Sequence, residues 1–180
     1  MARLDPESLA THTDRLYRAA WALCGSPQDA EDLVQETFAR VLARPRVLRG
    51  SDELAYLMHA LRNTFLSGRR TASRRPSIVS APVEDLPLSD DRANAQPEGA
   101  LAAREVLGAV AVLPQDFRLA LVAVDIVGLS YAEAARVLGT REATITTRLY
   151  RARQRLAQRL EPAPMNAERE GPTPIGRPRD

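Results

Sequence analysis

The sequence predicts an all-α protein: two small helical domains joined by a flexible linker, with a helix-turn-helix in the second. Three observations carry that expectation. Apolar residues recur at helical spacing through most of the chain, and no segment alternates convincingly as a strand would. Residues 74–97 are rich in Pro, Ser and Asp without apolar periodicity, so they read as a linker between two periodic blocks, 3–73 and 98–160. Near the end of the second block, two helical segments meet at a tight turn, and the second of them is rich in arginine.

In chain order, the first helix is expected around Pro6–Cys24. Ser26 then caps a second helix with Pro27 at its first position, where the missing N–H costs nothing. Ala30, Leu33, Val34, Phe38, Val41 and Leu42 form its apolar stripe, and Pro45 ends it. The segment Arg46–Asp52 contains a Gly-Ser turn signal and reads as a loop, followed by a third helix from about Glu53 to Arg70. The second block opens with a helix to about Val112 and another from Pro114 to about Val127. Ser130 and Glu133 then form a Ser-x-x-Glu capping box, Gly139 can end the short helix in the left-handed conformation, and Thr140 is expected to cap the last helix, which runs to about Leu160. The tail, residues 161–180, carries repeated Pro and Gly and reads as disordered.

The last helix divides cleanly by angle. At roughly 100° per residue, Leu149, Ala152, Leu156 and Leu160 fall within about 60° of Ile145 and form one stripe to bury. Thr144, Thr147, Arg148, Arg151 and Arg155 fall on one adjoining arc, roughly 60° to 160° away on one side. Arginine offers paired donors to guanine or phosphate, and threonine a hydroxyl, so a helix-turn-helix would present this arc to the DNA major groove. The plain alternative is a solvated basic face on a helical hairpin; the capped first helix and the tight turn favour DNA.

Composition bounds the rest. The chain has 180 residues, a net charge of +2, and no lysine, so its basic side chains are all arginine. That suits recognition of phosphates and bases, and it equally suits a GC-rich genome. No apolar run is long enough to span a bilayer and no signal-peptide core is present, so a cytoplasmic protein without membrane contact is expected. Cys24 is the single cysteine, which excludes an internal disulfide and a thiolate zinc cluster; it reads as a small buried hydrophobe. His12 and His59 are too few and too far apart to suggest a metal site.

Two charged clusters stand out. Asp29, Glu31, Asp32 and Glu36 lie close together on the second helix, with Gln35 between them. Paired carboxylates suit metal binding, acid–base chemistry, a basic protein partner, helix-dipole stabilisation or simple solvation. No histidine lies nearby, and neither a glycine-rich phosphate loop nor a nucleophile elbow occurs anywhere, so no catalytic residue, metal or cofactor is expected. Arg62, Arg69, Arg70, Arg74 and Arg75 form a basic cluster that either neutralises phosphates or complements a helix end.

At this point a family resemblance appears. DAEDLVQETFARVLARP (Asp29–Pro45) resembles the polymerase-binding helix of the extracytoplasmic-function (ECF) sigma factors of bacterial RNA polymerase. LPQDFRLALVAVDIVGLSYAEAARVLG, followed by TRLYRAR, resembles their C-terminal domain, and the likeness spans about residues 5–160. The resemblance implies a non-enzymatic protein that binds core RNA polymerase and directs promoter recognition, melting and initiation at a limited set of promoters. Asp29, Asp32, Gln35, Glu36 and Arg40 would dock on the β′ coiled coil, with the β flap as a further contact. Arg46, Arg49, Ser51, Asp52, Tyr56, Arg62, Asn63, Arg69 and Arg70 would serve the −10 element, the loop Arg46–Asp52 capturing a flipped base. Arg141, Thr144, Thr147, Arg148, Tyr150, Arg151 and Arg155 would serve the −35 element. An anti-sigma protein is the further partner implied. Ala143 and Thr146 depart from the family pattern, where glycine and a basic residue are usual. The competing reading is an ordinary regulator that binds DNA unaided, usually as a dimer on a palindrome.

Overall fold

The structure, a computed structural model of the chain, describes residues 2–3, 6–44, 47–48, 53–72 and 97–160. Its helices are α1 (Pro6–Cys24), α2 (Pro27–Ala43), α3 (Glu53–Ala72), α4 (Pro97–Ala111), α5 (Gln115–Leu121), α6 (Tyr131–Leu138) and α7 (Glu142–Leu160). The expected linker and tail, and the four loop positions Arg46, Arg49, Ser51 and Asp52, lie outside the described residues. Within the same loop Val47–Leu48 (β2) pairs antiparallel with Ala2–Arg3 (β1), a two-residue ladder too short for an alternation pattern to reveal.

Local chemistry explains the helix ends. Ser26 has extended backbone and its Oγ accepts the Asp29 N–H at 3.3 Å, with Pro27 starting α2 as expected. Ser130 and Glu133 complete the capping box of α6: the Ser130 Oγ accepts the Glu133 N–H at 3.2 Å, and the Glu133 carboxylate accepts the Ser130 N–H at 2.8 Å. The hydroxyl of Ser130 also donates to that carboxylate at 2.6 Å, and these bonds hold the Glu133 carboxyl below the ordinary carboxylate range. Gly139 takes a φ of 65°, the left-handed conformation that stops α6.

One expectation is corrected here. Thr140 does not cap α7; its N–H donates to the Ala135 carbonyl at 3.0 Å and belongs to the close of α6. Arg141 takes the cap position, its carbonyl accepting the Thr144 and Ile145 N–H groups at 3.0 and 3.2 Å. The tight turn consumes one residue more than the sequence suggests, because the helix stop at Gly139 needs the following N–H as well.

A second difference concerns the helix expected from Pro114 to Val127. It begins at Gln115 and widens over Val122–Ile126 into a π-turn, in which the Val127 N–H reaches back to the Val122 carbonyl at 2.9 Å.

Helix α1 is the centre of the molecule: α2, α3, α4, α5 and the π-turn all pack on it. Leu16, Leu23, Leu57, Met58, Leu61, Val110, Val122 and Val127 are among the largest fully buried side chains. They join one continuous core with Ile145 and Leu149, so the two sequence blocks pack together through it. The close approach is visible at Gly25, whose φ is 85° and whose added Cβ would stand 3.0 Å from the Ala111 Cβ at the end of α4.

Candidate nucleic-acid and polymerase interfaces

Three surfaces carry the residues singled out from the sequence. The first is α2. Burial of Ala30, Leu33, Val34, Thr37 and Val41 turns the opposite side outward, and Asp29, Asp32, Gln35, Glu36 and Arg40 are all exposed there. Arg40 Nη2 meets Glu36 Oε1 at 2.5 Å one helical turn away, an exposed pair of modest strength. The remaining carboxylates project as an acidic face. Part of it, Asp29, Asp32 and Glu36, forms a wall of a groove of about 570 Å³ whose other sides include Leu23, Cys24, Phe65, Arg69 and Arg118. Burial pushes the Cys24 thiol up to about 11, Asp29 adding to the shift and Arg118 opposing it. This thiol is therefore protonated at neutral pH.

The second surface is α3. Leu57, Met58, Leu61, Thr64 and Phe65 face the core. Tyr56 and Arg62 are half-buried, whereas Asn63, Arg69 and Arg70 are exposed. Asn63 is already engaged: its side-chain amide lies 2.9 Å from His59 Nε2, and its Oδ1 accepts from Arg62 Nη1 at 3.3 Å. His59 thus holds the asparagine rather than facing solvent alone. His12 is half-buried, 3.5 Å from the carboxylate of Glu53, which opens α3.

The third surface is α7. Ile145, Leu149 and Ala152 are buried and Leu156 and Leu160 half-buried, the stripe the angular arithmetic gives. Arg141, Thr147, Tyr150, Arg151 and Arg155 are exposed, with Thr144 and Arg148 half-buried. Tyr150 keeps 69% of its surface in solvent, unusual for a large aromatic ring with a core available. The Thr147 hydroxyl donates back to the Ala143 carbonyl at 3.1 Å, which leaves its oxygen as an acceptor.

The structure also shows residues that position this helix and that sequence spacing does not reveal. Arg148 Nη2 pairs with Asp116 Oδ2 at 2.6 Å, and Arg155 stacks 4.9 Å from the centre of the Phe117 ring. Arg153, on the side away from the threonine–arginine arc, makes a two-pronged contact with Asp125: Nε to Oδ2 at 3.0 Å and Nη2 to Oδ1 at 2.6 Å. These partners lie 28 to 32 residues apart in sequence, beyond the reach of any helical periodicity. Among the described residues no group of three or more His, Cys, Asp or Glu side chains could hold a metal ion. None of the described helices is long and apolar enough to cross a membrane.

An acidic helix on one helical block and a capped helix-turn-helix on another are the two conserved parts of sigma-type initiation factors, and the comparisons with known proteins agree. Residues 9–75 match the Sigma-70 region 2 family and residues 103–156 match Sigma-70, region 4. The sigma factor SigE of Mycolicibacterium smegmatis is 34% identical over 155 residues, 86% of this chain, which spans only 60% of that relative's length. SigM of Mycobacterium tuberculosis is 35% identical over 150 residues, covering 83% of this chain and 73% of the relative. EcfG of Rhodopseudomonas palustris is 37% identical over 145 residues, covering 78% and 76%. Among solved structures, the sigma factor RpoE in complex with the anti-sigma factor NepR from Bartonella quintana aligns with a TM-score of 0.64 and 27% identity, over 87% of this chain and 97% of that one. CnrH, solved with the cytosolic domain of CnrY, shares the fold with a TM-score of 0.60, covering 86% and 85% of the two chains at 24% identity. The chain belongs to the ECF sigma factors of RNA polymerase.

Proposed function

We propose that this sigma factor performs no chemistry itself: it docks on core polymerase through α2, engages the −10 element with α3, and reads duplex −35 DNA with α7. The observation that carries the proposal is the separation of charge by element. The acidic face on α2 fits a basic partner surface, and the threonine–arginine arc on α7 fits phosphate and base edges. Specificity is then the sum of two modest contacts, each base pair worth about 1–3 kcal/mol. Work in the cytoplasm, where polymerase and promoter are, fits the absence of any membrane-crossing helix among the described residues. Control by an anti-sigma protein is part of the proposal, supported by the structure of the related RpoE with NepR.

The test is run-off transcription with purified core polymerase on a genomic promoter library, with and without the protein. Transcripts that depend on its addition support the proposal and display both promoter elements. Their absence, with unaided binding to duplex DNA, overturns it in favour of an ordinary regulator.

A further inference from the structure

We infer that the packing of the C-terminal block on α1, α2 and α3 is a closed resting form, in which Arg118 occupies from within the acid-walled groove, so that polymerase docking and domain release are coupled. The inference rests on the docking role proposed above for α2.

Arg118 belongs to α5 yet is buried among residues of the other block, with 9% of its surface exposed. Its Nη1 donates to the Leu23 carbonyl at 2.6 Å, at the C-terminal end of α1 where helix carbonyls gather negative charge. Its guanidinium lies 5.8 Å from the centre of the Phe65 ring of α3. One arginine thus joins α5 to two helices of the first block. The anchorage is incomplete, however. Arg118 Nε is buried without a hydrogen-bond partner among the described residues, and a neighbouring Arg69 adds like-charge repulsion. Burial and Arg69 together lower the pKa of Arg118, so the closed form holds its cation under strain that opening relieves.

The same groove is where the two roles collide. Asp29, Asp32 and Glu36 line it together with Arg118 and Arg69. An external basic partner approaching those carboxylates meets a site in which this chain already supplies the cations. Across the boundary, Arg69 Nη1 donates to Gln115 Oε1 at 3.4 Å, a second link between α3 and α5. A smaller pocket of about 150 Å³ brings Arg62 of α3 and Arg148 of α7 to one space with Asp116. Such a space holds a few water molecules, not a nucleic-acid strand. Two arginines proposed to touch different promoter elements are thus turned toward each other, while Arg151 remains outside.

A closed form that hides the docking groove weakens docking by the fraction of molecules that are open. Weakening the closure should therefore strengthen polymerase binding. Cys24 in the groove wall is a built-in reporter, because its thiol is protected while Arg118 stays in place.

The experiment uses the full chain and two variants. Arg118→Met keeps a long apolar side chain over Phe65 but loses the bond to the Leu23 carbonyl. Gln115→Arg, at an exposed position, sets a positive charge against Arg69 without touching the core. Iodoacetamide labelling of Cys24 is followed by mass spectrometry, and affinity for core polymerase by fluorescence anisotropy. If the closed form holds about nine molecules in ten, full release raises both the labelling rate and the affinity up to about tenfold. Both variants are expected to raise both readouts, Gln115→Arg the less. Unchanged labelling in both overturns the closure, and faster labelling with unchanged polymerase affinity overturns the coupling. Should Arg118→Met fail to fold, Gln115→Arg decides alone. A wild-type chain that never binds core polymerase overturns the docking reading and the coupling with it, while the labelling rates still report closure.

Discussion

Replacing Arg151 by alanine separates promoter reading from polymerase docking. The side chain is exposed on the threonine–arginine arc of α7, away from the buried Ile145, Leu149 and Ala152. Its removal opens no cavity and strands no buried group, so folding stability should stay within about 0.5 kcal/mol of wild type. Its neighbour Arg148 is held by Asp116 and lines a closed pocket, whereas Arg151 projects outward. A contact from such an arginine to a base edge or phosphate contributes about 1–3 kcal/mol. At about 1.4 kcal/mol per tenfold, initiation should fall about 5- to 150-fold. The assay is single-round run-off transcription from one promoter carrying either its own or a scrambled −35 element, paired with anisotropy for core binding. The loss should appear on the intact −35 element, shrink on the scrambled one, and leave core affinity unchanged. Equal loss in initiation and core affinity would refute the assignment of α7.

Three further predictions follow from the same geometry. Asp32→Ala together with Glu36→Ala should weaken core-polymerase binding while leaving thermal stability near wild type, since both side chains are exposed; unchanged core affinity measured by competition counts against docking through α2. Leu149→Ala removes a side chain that is 1% exposed between the helices of the second block, and should lower unfolding stability by about 2–5 kcal/mol in urea titrations. The Glu133 carboxyl, held low by its bonds to Ser130, stabilises the folded chain above its unfolded pKa, and that contribution disappears as pH falls through the lower folded value. Thermal melts across that acidic range should therefore show a smaller pH dependence in Ser130→Ala than in wild type, with the variant less stable by about 0.5–2 kcal/mol at neutral pH.

Much of the architecture was legible in the chain because its signals are local. Ser26-Pro27, the Ser130–Glu133 box and Gly139 each fix a helix end through bonds spanning three or four residues. The buried stripe of α7 follows from periodicity alone. The error at Thr140 came from competition between two local motifs for one N–H, which geometry resolves and residue type does not. What the chain concealed is contact between distant elements. Nothing in the spacing of Arg118 announces a bond to Leu23 across 95 positions, nor that Arg153 would find Asp125. A basic residue reads as a surface charge until the fold supplies its partner. The proposed site residues were located by residue type and resemblance, and their roles now depend on the substitutions above.

The π-turn at Val122–Ile126 has a consequence for sequence length. Its Val127-to-Val122 bond encloses one residue more than an α-helical turn does. Deleting one residue there would let the segment relax to an ordinary helix, and everything downstream would rotate by roughly 100° about its axis. Asp125 would no longer point at Arg153, and the orientation of α7 would have to be found again. The extra residue acts as a phase setting: a relative without it must aim its last helix by some other contact, so insertions and deletions at this point change geometry where elsewhere they would only change a loop.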